Sequence, residues 1–146
     1  MQKWILILLV ALTGWTSHAA DWLTNFKAAQ QQAAKENKTI LLDFTGSDWC
    51  PYCKNLKAKV LDTPEFAKFA QEKLVLVEVD FPRKKPLEAK QQKANDKLMD
   101  KYKVEIYPTL VLTDAKGKKQ GEIAGYDDAS AEKYLEKLNE IIAKKR

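Results

Sequence analysis

Leu41-Leu42-Asp43-Phe44-Thr45-Gly46-Ser47-Asp48-Trp49-Cys50-Pro51-Tyr52-Cys53-Lys54 joins an apolar run to a Cys-x-x-Cys pair through a short polar turn. From Thr39 to Phe44 the chain is apolar apart from Asp43 and bounded by polar residues, which predicts a buried central strand with one embedded carboxylate. Gly46-Ser47-Asp48 turns the chain. Pro51 suits the first position of a helix, where a backbone N–H would have no partner in any case. Cys50 then falls at the helix N-terminus, with Cys53, Leu56 and Val60 along one side.

Cys50 and Cys53 are the only cysteines of the 146 residues. A structural bridge stabilises by closing a long loop in the unfolded chain, and this pair closes almost none, so it is there for reactivity or for metal. Tetrahedral zinc wants four Cys, His or carboxylate ligands, and the one histidine, His18, lies far upstream in an apolar leader, which disfavours a metal site. Thiol-disulfide exchange needs an attacking thiolate and a second thiol to release the mixed disulfide. Unpaired N–H groups and the positive end of the dipole at a helix start lower a thiol pKa, which makes Cys50 the attacking thiol. Cys53, one turn further in and expected to be less exposed, resolves. Trp49 is expected to shield one side of the pair, and Tyr52 to shape the surface offered to a substrate.

Outward from this segment, Trp22, Phe26, Ala29 and Ala33 recur at helical spacing after Asp21, which can cap a helix ending near Asn37-Lys38. Thr63-Pro64 restarts a helix with Phe66 and Phe69 inward, and Leu74 to Asp80 reads as a second strand. Leu87, Ala94, Leu98 and Tyr102 mark a helix after the loop from Pro82 to Pro86. Thr109 to Thr113 and Gln120 to Ala124 form a hairpin with Gly117 in its turn, and a last helix buries Tyr134, Leu135, Leu138, Ile141 and Ile142. Early strands joined through helices and a final hairpin imply one α/β domain with a mixed sheet covered on both faces.

The chain opens with Lys3, a nine-residue apolar run from Trp4 to Leu12, and a short polar stretch ending in small residues, the layout of a secretory signal peptide. The run is under half of the roughly 20 residues a spanning helix needs. Residues 1–19 are therefore expected to be a signal peptide and 20–146 the mature domain, exported to a periplasmic or extracellular space without stable membrane insertion. Because Lys3 is the only charged side chain removed, the formal balance falls from +5 to +4. The lysines alternate with Glu, Asp and Gln and lack interleaved aromatics, which reads as a solvated surface and not as a nucleic-acid site.

Leu41-Leu42-Asp43-Phe44, Trp49-Cys50-Pro51-Tyr52-Cys53-Lys54 and Tyr102-Lys103-Val104-Glu105-Ile106-Tyr107-Pro108-Thr109 together resemble the thioredoxin superfamily, over about Asp21 to Tyr126. The resemblance implies the thioredoxin fold, a central mixed sheet of four to five strands flanked by helices on both faces. It also implies a cis Tyr107–Pro108 bond lying against the cysteine pair, and a buried acid, matched by Asp43, that helps move the proton of the resolving thiol. Asp43 precedes Cys50 by seven positions, one more than the family's pattern, and Glu78 stands where that acid often has a lysine partner. Asp43 is thus either a proton relay or a carboxylate reaching solvent beside Gly46, and Glu78 either its neighbour or a residue at a strand edge. The connection from Asp80 to Leu98, with the cluster Arg83-Lys84-Lys85, is longer than the family's and is either a substrate-side feature or surface decoration.

The reading is an exported protein-disulfide reductase that needs no cofactor. Cys50 and Cys53 form its redox-active pair, and Tyr107 and Pro108 frame the groove for the partner. With no third cysteine, turnover requires an external thiol donor or acceptor, membrane-bound if the source is a bacterium. Disulfide oxidase or isomerase is the second reading, and a chaperone-like binding module of the same fold the third.

Overall fold

A computed structural model describes residues 20–144, so the expected signal segment 1–19 lies outside the described residues. The chain runs β1 (Trp22–Leu23), α1 (Phe26–Glu36), β2 (Thr39–Thr45), α2 (Pro51–Leu56) continued by a π-helical segment (Lys57–Leu61), and α3 (Pro64–Lys73). It goes on through β3 (Leu74–Asp80), α4 (Ala89–Tyr102), β4 (Thr109–Thr113), β5 (Lys119–Ala124) and α5 (Ala131–Ala143). The five strands form one sheet in the order β1-β3-β2-β4-β5. β3 pairs in parallel with β1 and β2, while β4 is antiparallel to β2 and β5. The sheet is therefore mixed and five-stranded, the thioredoxin fold with its short first strand included.

β2 is central and buried along its whole length, as its near-continuous apolar run requires. Its alternate residues serve two cores. Leu41 joins Leu56, Val60, Phe66, Leu110, Tyr134 and Leu138 beneath α2, α3 and α5. Ile40, Leu42 and Phe44 join Ala29, Ala33, Val77, Leu98 and Tyr102 beneath α1 and α4. A strand buried on both faces fixes the register strongly, because a one-residue slip would send Asp43 into the wrong core.

The first helix begins later than its apolar spacing suggests. Trp22–Leu23 pair with Leu76 and Val77 as a strand, and Asn25, not Asp21, is the cap, accepting from the Ala28 N–H at 3.0 Å. Asn37 ends the helix in the left-handed region, with φ 53°. In α4 the inward face also differs, since Ala94 is exposed and Leu87 lies outside the helix. Asn95 is buried in their place because it has a specific partner, its Nδ2 donating to the Asp80 carbonyl at 2.8 Å, while Gln91 Nε2 donates to its Oδ1. Apolar spacing cannot reveal a buried polar residue that is satisfied in this way.

Two anchors hold the frame around the site. Tyr102 donates its hydroxyl to the Gly117 carbonyl at 2.9 Å, tying α4 to the hairpin turn, where Gly117 takes φ +82°. Thr63 caps α3 by accepting from the Phe66 N–H at 3.3 Å. Thr63→Ala is expected to cost about 1 kcal/mol in a urea melt, the usual value of a lost N-cap. An unchanged midpoint and slope would mean that the cap does not contribute.

Candidate active site

The site is built at the C-terminal end of β2, where the strand hands over to α2. Cys50 is the N-cap of α2, and its Sγ accepts from the Cys53 N–H at 3.2 Å. The two cysteines form a disulfide with Cα atoms 5.2 Å apart, so the structure shows the oxidised state. Gly46 N–H points at Cys53 Sγ, 3.5 Å away. Both cysteines are buried, at 3% and 4% exposure, so burial does not separate the two as expected. Position does: Cys50 sits at the open helix end, and Cys53 lies inside the first turn against the Gly46 loop. Tyr52 between them is 62% exposed, and Pro51 occupies the first helical position.

Trp49 is fixed from three sides. Its Nε1 donates to the Phe81 carbonyl at 2.8 Å, its ring meets Tyr107 edge-on at 5.6 Å, and the Arg83 guanidinium lies 3.7 Å above it. Tyr107 packs against Phe81 as well, with ring centres 5.5 Å apart. The Tyr107–Pro108 peptide bond is cis, and Pro108 directly precedes Thr109, which pairs with Phe44 of β2. The register therefore sets the 107–108 turn beside the end of the strand that leads to the cysteines. Gly46 is required here for space. A Cβ on it would come within 2.4 Å of the Trp49 ring. Gly46→Ala is expected to expel the indole, lower stability by about 1–3 kcal/mol, and slow exchange. A wild-type urea midpoint and rate would show that the Trp49 cage is dispensable.

Asp43 is 7% exposed, which excludes a carboxylate reaching solvent beside Gly46. It pairs in register with Glu78 of β3, and its Oδ1 has no hydrogen-bond partner among the described residues. Burial, then the Glu78 carboxylate and more weakly Asp80, push its pKa up to about 7 against the opposing pull of Lys57. Glu78 is half-buried and also raised, by burial and by Asp80. It is the neighbour of Asp43 in β2 and also lies beyond the reach of β1, which pairs only with Leu76 and Val77, so both readings of Glu78 hold. Two facing carboxylates in a poorly solvated site cannot both ionise at little cost.

The longer connection 81–88 lies against the site. The Asp48 carboxylate accepts from the backbone N–H groups of Arg83 and Lys84 at 3.0 and 2.7 Å, which holds its pKa below the usual range. Asp80 in turn accepts from the Ser47 N–H at 2.9 Å. Apolar patterning gives no hint of this docking, because backbone donors and a turn aspartate carry it. No group of three or more His, Cys, Asp or Glu side chains that could hold a metal is found among the described residues.

A cysteine pair capping the helix that follows the central strand β2, with a cis-proline turn leading into the neighbouring strand β4, defines a thioredoxin-fold redox site. The chain belongs to the thioredoxin-like domain family, whose model matches residues 26–142. It is 35% identical over 118 residues to the disulfide bond reductase DsbH of Chlamydia pneumoniae, covering 81% of this chain and 70% of that one. It is 30% identical to the thioredoxin-related protein DsbJ of the same organism, over 75% of this chain but 34% of that one. A solved structure titled DsbH oxidoreductase superposes with a TM-score of 0.81 at 33% identity, covering 86% of each chain. The chain is therefore a homologue of disulfide oxidoreductases, and it carries the Cys50–Cys53 pair. Among the described residues no helix is long and apolar enough to cross a membrane.

Proposed function

We propose that this protein is an exported thiol-disulfide oxidoreductase working as a protein-disulfide reductase. The Cys50–Cys53 disulfide at the start of α2 carries the reading, and the 35% identity to a disulfide bond reductase supports the direction. In the reduced protein the Cys50 thiolate, stabilised by the Cys53 N–H and the helix end, attacks one sulfur of a substrate disulfide. The substrate S–S bond breaks, its second sulfur leaves as a thiol, and a mixed disulfide joins the substrate to Cys50. Cys53 then gives up its proton, attacks Cys50 Sγ and frees the second substrate thiol. The product is the Cys50–Cys53 disulfide.

Asp43 is the proton acceptor for Cys53 in this scheme. Its strand leads directly into Gly46, whose N–H faces Cys53 Sγ, and a carboxyl poised near pH 7 can take and return a proton. Tyr107 and Pro108 frame one side of the groove and Tyr52 the other. An external thiol donor of the exported compartment resets the pair, and no cofactor enters. Residues 1–19 would direct export as a cleaved signal, leaving the domain that starts at Ala20.

The direct test is insulin reduction by the mature chain with dithiothreitol as donor. Precipitation of the insulin B chain well ahead of the dithiothreitol control supports the reading. No acceleration overturns it.

A further inference from the structure

The connection 81–88 is fastened to the active-site turn and yet presents its charges to solvent. Phe81 accepts from Trp49, and the Arg83 and Lys84 backbone N–H groups are held by Asp48. The Arg83 guanidinium lies over the Trp49 ring, one residue from Cys50. The side chains of Arg83, Lys84 and Lys85 are exposed, and among the described residues none of them forms an ion pair. Within 81–88 only Glu88 carries the opposite charge. A flexible basic loop would spread its field over many positions, whereas this one is held at the rim of the disulfide.

We propose that this strap selects partners, with Arg83, Lys84 and Lys85 drawing in proteins whose reactive disulfide is flanked by acidic side chains. The proposal rests on the exchange function assigned to Cys50 and Cys53. A polypeptide fits better than other polyanions. Arg83 covers the Trp49 face on which a nucleobase would stack, and the strap holds three basic residues where anionic-lipid binding usually takes a cluster of four to eight. Tyr52 and Ile106, the exposed large hydrophobics among the described residues, follow Trp49 closely and directly precede Tyr107 in the chain, respectively, and supply apolar surface for a protein partner. Fixed charges beside a reacting centre act chiefly on the encounter rate, and salt screens them over about 10 Å at 0.1 M.

The experiment uses the reduced mature chain and three peptides of equal length. Each holds one disulfide, flanked by Asp, Ser or Lys, and exchange rate constants are taken at low and at about 0.5 M salt. At low salt the Asp peptide is expected to react about tenfold faster than the Lys peptide, with the ratio falling below about twofold at high salt. The variant Lys84→Gln/Lys85→Gln, which leaves Arg83 on Trp49, should cut the low-salt ratio at least about threefold. A low-salt ratio near one, or a ratio unmoved in that variant, overturns the proposal. So does a ratio near one together with sedimentation on phosphatidylglycerol vesicles, which would make the strap a membrane contact. Reaction with none of the three peptides would instead remove the exchange function, and this inference with it.

Discussion

Cys50→Ser is expected to abolish insulin reduction, with a loss on the order of 10³-fold or more, because a serine hydroxyl stays protonated where the thiol ionises. Nothing else in the site can take over. The chain has no third thiol, and Cys53 lies inside the helix turn against Gly46. Cys53→Ser should behave differently, since the first attack remains and only release is lost. Mixed disulfides with insulin would then accumulate and run as adducts on a non-reducing gel. If Cys50→Ser kept turnover, or if Cys53→Ser formed no adduct, the assignment of attacking and resolving thiols would be wrong. A binding module would make the opposite showing: no turnover in the wild type, and undiminished partner affinity in the double Cys→Ser variant.

Asp43→Asn is expected to stabilise the protein above neutral pH and to slow it. The folded pKa of Asp43, about 7, lies above its ordinary 3.8, so the folded state binds the extra proton between those values. The stability this proton confers is complete below about pH 4 and is lost as pH rises through 7, because the unfolded chain ionises freely. At pH 8 the wild type carries a buried charge facing Glu78, and the amide removes it. We expect a gain of about 2–4 kcal/mol at pH 8, little change at or below about pH 4, and a flatter dependence of stability on pH between them. Exchange should move the other way, with resolution of the mixed disulfide near pH 7 slower by about 10²-fold, the usual worth of a positioned proton acceptor. Equal denaturation midpoints at pH 8 would refute the buried charge. A raised midpoint at pH 8 with unchanged resolution would leave Asp43 structural only.

Much of this was legible in the chain because the informative signals are local. The apolar run of β2, Pro51 after Cys50, and the Tyr107-Pro108-Thr109 turn each constrain backbone within a few residues, and the sheet then brings them together. What stayed hidden depends on partners distant in sequence. Trp22–Leu23 is a strand only because Leu76 and Val77 lie beside it, and Asn95 is buried only because the Asp80 carbonyl awaits it. Whether the 81–88 connection decorates the surface or borders the site turned on Asp48, a polar turn residue with no patterning signal. Asp43 was open for the same reason, since only the register with Glu78 shows which charge it faces.

Direction of electron flow is the central claim, and the reduction potential of the Cys50/Cys53 pair tests it most directly. Purified mature protein is equilibrated with defined dithiothreitol and glutathione mixtures, free thiols are trapped, and the oxidised fraction is read by mass. A reductase requires a value near the thioredoxin end, about −270 mV, so that reducing partner disulfides is downhill. A value near −120 mV would contradict the account and make disulfide formation the working direction.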